Sequence, residues 1–195
     1  MRTWTRNPEE KRALILAAAK RLFFAMGYAA AQMPAIAKSA ELSAGLIYRF
    51  FESKQHLVNV LFRTLKANFR ATLFAQVTPA GKPQQQFDAF VDGVLQFALA
   101  DPIGFLFLET HYHEPYLDDE SRALDARLRS DVADWVTTLA KQGIIVTVDA
   151  HALVAAVLGQ LVYLVRGHHE RRFTLDRTTI EAFKDMTWRM ICRPP

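Results

Sequence analysis

Residues 33–51 read MPAIAKSAELSAGLIYRFF, and this stretch decides the fold that we expect. Apolar residues recur at helical spacing, first at 36, 37 and 40 and then at 47 and 51. The polar interruption at 41–43 separates the two patterns, and the hydroxyl of Ser43 can cap the second one. The stretch therefore predicts two short helices, 33–40 and 44–51, joined by a tight turn.

The outer side of the second predicted helix presents small residues and then polar donors. Ala44 and Gly45 allow the backbone to come close to another surface, and Tyr48 and Arg49 offer donors suited to phosphate oxygens. A recognition helix that enters the major groove of DNA has this arrangement. We therefore expect double-stranded DNA to be the partner of this part of the chain.

A wider set of positions within 12–57 shares a characteristic spacing. The set comprises Ile15-Leu16-Ala17-Ala18, Leu22-Phe23, Gly27-Tyr28, Met33, Ile36-Ala37, Ser43, Gly45, Ile47-Tyr48, Phe51, Lys54 and Leu57. With these residues the segment resembles the N-terminal DNA-binding domain of the TetR family of transcriptional regulators. The resemblance implies an all-α protein with an N-terminal three-helix helix-turn-helix DNA-binding domain, 1–54, and a C-terminal helical ligand-binding and dimerisation domain, 55–195.

The outer helix face and the resemblance together predict the DNA contacts. The predicted set is Gln32, Ser43, Ala44, Gly45, Leu46, Tyr48, Arg49 and Lys54. Three residues depart from the family pattern. Ala31 replaces a capping threonine, and Leu46 replaces a small or hydroxylated residue, which removes one polar contact. Glu41 replaces the usual turn glycine, so the backbone is strained there if that position is left-handed.

Composition and charge are consistent with a DNA-binding globular protein. Of the 195 residues, 51% are hydrophobic and 23% charged. Nine Lys/Arg and four Asp/Glu give 1–54 a charge of +5, whereas 55–195 carries −1. Arg2 and Arg6 belong to a short basic arm that could add phosphate contacts. Cys192 is the only cysteine, and no signal peptide is recognisable, so we expect a cytoplasmic protein.

The remainder of the chain predicts further helices, bounded by turns near 78–81 and 143 and by a loop at 167–176. The run at 144–148 favours extended structure but has no strand partner in this prediction. The apolar run at 150–165 is shorter than the ~20 residues of a membrane span, so we expect a buried helix and no membrane partner.

In the TetR family, the core of the C-terminal domain commonly contains a ligand cavity. The resemblance therefore implies candidate walls for an apolar or amphipathic effector: Phe87, Phe90, Val94, Phe97, Phe105, Leu108, Tyr112, His113 and Trp135. For any single aromatic residue in this set, ordinary core packing is the favoured alternative to a cavity wall.

Residues 109–116, ETHYHEPY, contain the only cluster with metal-ligand chemistry. His111 and His113 lie two positions apart, and a helix would point them about 200° apart, so we predict no metal site and no cofactor. The chain has no recognisable catalytic motif, and we assign no catalytic residue. An enzyme would have to use the region of His111 and His113.

The resemblance also implies that the last two helices form a four-helix interface with a second subunit. The predicted interface consists of Ala152, Ala155, Ala156, Gly159, Tyr163, Phe183, Thr187 and Met190. Interior packing in a monomer is the alternative, but a two-fold DNA site requires a dimer. The sequence thus predicts a homodimeric repressor that binds a palindromic operator and is released by a small-molecule effector. An activator, or a regulator that acts through a protein partner, is the alternative.

Overall fold

The computed structural model describes residues 7–75, 77 and 81–193. Within these residues the chain forms nine α-helices and no named β-strand. The helices are α1 (Pro8–Ala30), α2 (Met33–Ser39), α3 (Ala44–Phe50), α4 (Lys54–Phe74), α5 (Pro83–Ala100), α6 (Pro102–Thr110), α7 (Asp119–Lys141), α8 (Ala150–His169) and α9 (Arg177–Ile191). The predicted basic arm with Arg2 and Arg6, and all of the predicted turn at 78–81 except Gly81, lie outside the described residues.

Most helices begin at a side chain that accepts a backbone N–H from the first turn, as the sequence predicts for Ser43. The capping residues are Asn7, Ser43, Ser53, Asp101, Asp118, Asp149 and Asp176. α2 is an exception, since Gln32 precedes it without a side-chain capping bond. Gly27, with φ of 77°, breaks α1 three residues before its end, and Gly143, with φ of 73°, follows α7.

α4 connects the helix-turn-helix to the rest of the molecule. α1 packs against α2, α4 and α6, while α4 also packs along α5 and α7. The α4–α5 contact is so close that a Cβ on Gly93 would lie 2.6 Å from the carbonyl oxygen of Thr72. Because backbone meets backbone there, glycine is required at position 93.

Two predicted connections differ from the structure. α8 continues through Gly167 to His169, and the loop begins only after it. The extended run at 144–148 does have a partner, because the N–H of Val146 donates to the carbonyl of Ile191 at 2.8 Å. The N–H of Arg193 donates to the carbonyl of Ile144 at 3.0 Å, so the end of the chain pairs antiparallel with this run.

The expectation of a buried helix at 150–165 is wrong. Only 22% of the most apolar window of α8 is buried. By length and composition alone, α1 and α8 could each span a membrane, as could α5 and α6 taken together across their 112° bend. α8 therefore leaves an apolar face uncovered within the chain.

Candidate nucleic-acid interface and ligand cavity

The turn between α2 and α3 contains a backbone conformation that favours glycine. Glu41 has φ of 58°, in the left-handed region, so the strain predicted for this departure is confirmed. The N–H of Leu42 donates to the carbonyl of Ala37 at 2.9 Å and closes the turn. Glu41 is exposed and lines a small surface pocket with Leu14, Ala17 and Arg21 of α1.

α3 is anchored by Ile47, which is fully buried. The exposed residues of this helix are Ala44, Gly45, Tyr48 and Arg49. Leu46 is half-buried at the edge of this face. Ser43 is exposed too, but its Oγ accepts the N–H of Leu46 at 3.3 Å and so caps the helix. The side of α3 that we predict to contact DNA is therefore accessible to a large partner.

The two other predicted contacts, Gln32 and Lys54, are engaged within the chain. The amide nitrogen of Gln32 donates to the carbonyl of Ala29 at 3.0 Å. Nζ of Lys54 donates to the carbonyls of Tyr28 and Ala29, at 2.9 and 3.2 Å, and lies 4.5 Å from the centroid of the Tyr28 ring. Lys54 thus fixes the start of α4 to the end of α1.

A cavity of about 390 Å³ lies among the helices of the C-terminal part. Its walls come from α4, α5, α6, α7, α8 and the segment after α6. The predicted wall residues that line it are Phe90, Val94, Leu108, Tyr112 and His113. This volume is within the range of small-molecule sites.

The other four predicted wall residues lie elsewhere. Phe87 and Trp135 line a separate apolar void of about 30 Å³. Phe97 and Phe105 do not line the larger cavity; their rings pack on Phe69, with centroids 5.1 and 6.0 Å apart. Helical spacing identified all four as inward-facing, but it does not distinguish a tightly packed neighbour from a cavity wall.

A cluster of charged side chains also lines the cavity, and the sequence analysis missed most of it. Nζ of Lys66 lies 3.0 Å from Asp125 and 3.4 Å from Glu109, and the three side chains are only 9%, 16% and 13% exposed. Asp125 also pairs with Arg129, at 2.7 Å. A signal was present: Lys66 shares a helical stripe with Phe62, a buried apolar residue. A lysine on such a stripe needs buried partners.

His113 joins the cavity wall to the segment that follows α6. Its Nε2 donates to the carbonyl of Phe107 at 2.8 Å, so its Nδ1 accepts the hydroxyl proton of Tyr116 at 2.5 Å. Burial lowers the pKa of His113 to about 4, and the imidazole is therefore neutral near pH 7. Burial also raises the pKa of Tyr116, which keeps the phenol protonated as a donor.

Tyr116 in turn contacts α1 and α4. Its ring stacks on Tyr28 with centroids 4.3 Å apart. Its carbonyl accepts the side-chain amide of the buried Asn59 at 2.8 Å. Asp118 nearby binds Arg63 of α4 at 2.8 Å. Burial opposes ionisation of Asp118, but hydrogen bonds from Arg63 and Ser121 outweigh it and lower the pKa of this carboxyl to about 2.

His111 and His113 do not form part of a metal-binding cluster. Their ring centroids are 6.3 Å apart, and no group of three or more His, Cys, Asp or Glu side chains among the described residues is arranged to hold a metal ion. Burial lowers the pKa of His111, and the charge of Arg166 adds to this shift. His111 instead packs on aromatic rings, with its centroid 5.5 Å from that of Phe107.

The residues predicted for a subunit interface divide into two groups. Ala152, Ala155, Ala156, Gly159, Tyr163 and Met190 are exposed or half-buried, and Tyr163 is 72% exposed. Phe183 and Thr187 are buried within the chain, so their assignment to an exposed interface is wrong. Helical spacing placed these two on the same face as Met190. In the structure Phe183 and Thr187 point into the interior, whereas Met190, near the end of α9, is exposed together with Met186.

Two family profiles cover most of the chain. The profile described as bacterial regulatory proteins, tetR family, matches residues 15–61, and the profile of the tetracyclin repressor-like C-terminal domain matches residues 61–193. An uncharacterized HTH-type transcriptional regulator of Bacillus subtilis (strain 168), YhgD, is 21% identical over 183 residues, which are 91% of this chain and 94% of that protein.

Solved structures share the fold. A TetR family transcription regulator from Marinobacter aquaeolei VT8 superposes with a TM-score of 0.82 at 20% identity, covering 94% of this chain and 96% of that one. AibR, crystallised with isovaleryl coenzyme A and operator DNA, superposes with a TM-score of 0.73 at 19% identity over 95% and 100% of the two chains. The predicted all-helical architecture is thereby confirmed. The chain belongs to the TetR family of bacterial regulatory proteins, which are DNA-binding transcriptional regulators.

Proposed function

We propose that this protein is a cytoplasmic repressor that binds a roughly palindromic operator as a homodimer. It leaves the operator when a small apolar or amphipathic effector enters the cavity. One observation carries the proposal: His113 of the cavity wall is hydrogen-bonded to Tyr116, whose ring stacks on Tyr28 near the end of α1. We propose repression rather than activation because ligand-responsive repressors are typical of this family. No cofactor and no catalytic residue takes part.

The DNA contacts come from the exposed side of α3. Ala44 and Gly45 let the backbone approach the groove, while Tyr48 and Arg49 reach phosphates or base edges. Leu46 contributes only apolar contact. Ser43, Gln32 and Lys54 orient the reading surface through their bonds within the chain, and each keeps hydrogen-bonding capacity for a nearby phosphate.

The second subunit covers the apolar outer face of α8 and α9. Small residues at Ala152, Ala155, Ala156 and Gly159 allow helices to approach closely, and Tyr163, Met186 and Met190 supply exposed apolar surface. An apolar face of this kind on a long helix is typical of a protein interface. Two-fold pairing there would carry two recognition helices to half-sites about 34–36 Å apart.

An effector changes DNA binding by acting on the cavity wall. His113 and Tyr116 connect that wall to Tyr28 and Asn59, and Lys54 connects Tyr28 to the start of α4. We place the domain boundary at this start, between 54 and 55. An effector that displaces His113 favours a position of α4 in which the recognition helices no longer match both half-sites. The effector can change the free-energy difference between the DNA-binding state and the released state only by the difference between its binding free energies for these two states.

The test is selection of DNA fragments from a genomic library by the purified protein at two salt concentrations. We expect retention of a two-fold-symmetric site, with affinity that falls steeply as salt rises. The double variant Tyr48→Ala/Arg49→Ala should lose this selection. Arg127→Ala, an exposed arginine of α7, is the matched control and should keep it. Equal, sequence-independent retention by all three proteins would contradict the proposal.

A further inference from the structure

The charged side chains that line the cavity do not balance. Lys66 and Arg129 are positive, whereas Glu109, Glu114 and Asp125 are negative, so the lining carries a formal charge of one negative unit. The unbalanced unit is that of Glu114, whose side chain is 58% exposed and pairs with Arg122 at 3.5 Å, so it is compensated outside the cavity. The carboxylates buried in the wall are those of Glu109 and Asp125, and both contact Lys66.

Lys66 is not available to bind an anion. Its ammonium group lies between Asp125 and Glu109, at 3.0 and 3.4 Å, and the side chain is buried. A ligand carboxylate or phosphate could reach Lys66 only by displacing one of these partners. Glu109, which has the longer contact, would then stay mostly buried without a cation, which is strongly unfavourable, whereas Asp125 would keep its pair with Arg129.

Glu109 is the carboxylate that a ligand cation can complete. Its contact with Lys66 is the longer of the two and uses only Oε1. Among the described residues Oε2 has no hydrogen-bond partner, and it is accessible to solvent although the side chain is only 13% exposed. Phe69 lines the same cavity, and aromatic faces attract cations, as the Phe62 ring does with Nζ of Lys66 at 5.6 Å from its centroid.

We propose that the effector is a small amphipathic cation, an alkylammonium or arylammonium compound with a single positive charge. Its ammonium group lies beside Glu109, and its apolar body packs on Phe62, Phe69 and Phe90. This inference rests on the proposed function, because it names the ligand class of the same cavity. A volume of about 390 Å³ suits such a molecule. A multiply anionic compound such as the isovaleryl coenzyme A bound by AibR carries the opposite charge.

The experiment compares three probes with the same alkyl chain: octyltrimethylammonium, octyl sulfate and octanol. Binding to the full-length protein is measured by calorimetry, and release of the selected operator fragment is measured in parallel. We expect the cation to bind most tightly and to release the DNA. Its affinity should fall by at least about tenfold in Glu109→Gln, which keeps the shape of the side chain but removes its charge.

Two further variants separate charge from damage to the cavity. Asp131→Asn removes an exposed carboxylate of α7 that pairs with Arg70 outside the cavity, and cation affinity should not change. Lys66→Gln removes the ammonium group that Glu109 and Asp125 share. Octyltrimethylammonium should therefore bind this variant more tightly than the wild type, and it should raise the melting temperature of the variant by a larger amount. A merely damaged cavity would weaken binding in both Glu109→Gln and Lys66→Gln.

The outcomes distinguish this inference from the proposed function. Tighter binding of octyl sulfate or octanol, or no binding of any probe, would overturn the cation assignment. If one of those two probes nevertheless released the DNA, the regulator would stand with a different ligand class. Failure to select any operator before a probe is added would contradict the proposed function instead, while calorimetry would still decide which probe the cavity accepts.

Discussion

The surface of α2 and α3 and the interior around α4 both contain positively charged side chains, but they hold them differently. Lys38 and Arg49 are exposed on the two short helices, and neither forms an ion pair with another described residue. Lys66 and Lys184 are buried, and each lies within 3.4 Å of two carboxylates. Lys66 bridges α4 to α6 and α7, and Lys184 joins α9 to α5.

This difference separates charge that a partner can use from charge that the fold requires. An exposed, unpaired lysine or arginine can exchange its counterions for DNA phosphates at little structural cost. A buried lysine cannot leave its carboxylates without leaving them uncompensated. Basic residues in the first region therefore contribute to binding, and those in the second contribute to stability and to the field inside the cavity.

Removal of Lys66 should produce the largest change. In Lys66→Ala the free energy of unfolding should fall by about 3–5 kcal/mol, because Glu109 and Asp125 lose their common cation. Urea unfolding followed by circular dichroism, at fixed protein concentration, measures this loss. Lys38→Ala on the exposed surface is the control and should stay within about 0.5 kcal/mol of the wild type. If Lys66→Ala and Lys38→Ala lowered the unfolding free energy equally, buried and exposed lysines would not differ in their contribution to stability.

Lowering the pH tests the buried segment next to the cavity. Burial holds the pKa of His113 at about 4, below the value of 6.5 expected in the unfolded chain. The unfolded state therefore binds more protons between these values, and stability falls as the pH falls through this window. From about pH 7 to about pH 5 the contribution of His113 should decrease by about 2 kcal/mol.

The variant His113→Gln isolates this contribution. His111 shifts in the same direction, and its effect cancels when the wild type and His113→Gln are compared. The pKa of Asp118 is lowered to about 2, so this carboxyl loses its contribution only in more acidic solution. If the two proteins lost stability in parallel between about pH 7 and about pH 5, His113 would not be held neutral by burial.

The two regions also differed in how far sequence could predict them. Residues 33–51 follow local rules: a capping serine, helical spacing, and a turn position where φ must be positive. The charged cluster in the cavity wall instead joins three helices that are distant in sequence, and local spacing cannot pair Lys66 with Glu109 and Asp125.

Spacing also could not separate one side of α9 from the other. Phe183 and Thr187 face the interior, while Met186 faces outward. On the inward side Lys184 pairs with Asp92 of α5 at 3.0 Å, a contact that spacing within α9 does not reveal. The same limit applies to Phe97 and Phe105, which spacing could identify as inward-facing but not as cavity walls.

Removal of Arg49 tests the exposed surface directly. Arg49→Ala should weaken operator binding by roughly tenfold and reduce the dependence of log affinity on log salt by about one phosphate contact. Fluorescence anisotropy of a labelled operator fragment over a range of salt concentrations measures both quantities. The unfolding free energy should stay unchanged, because Arg49 is exposed and forms no ion pair within the described chain. If Arg49→Ala lowered the unfolding free energy but left the salt dependence of DNA binding unchanged, Arg49 would contribute to the stability of the fold rather than to DNA binding.

The smallest effect is expected at Glu41, where the exposed surface carries strain and a negative charge together. Glu41→Gly should raise the unfolding free energy by about 1 kcal/mol, because glycine adopts a φ of 58° without the steric penalty of a side chain. It should also strengthen operator binding, since the exposed carboxylate of Glu41, three positions before the start of α3, repels phosphates. Glu41→Gln removes the charge but keeps the strain, so it should improve DNA binding without stabilising the fold. If Glu41→Gln stabilised the protein as much as Glu41→Gly, the negative charge of Glu41, and not its backbone conformation, would be what destabilises this turn.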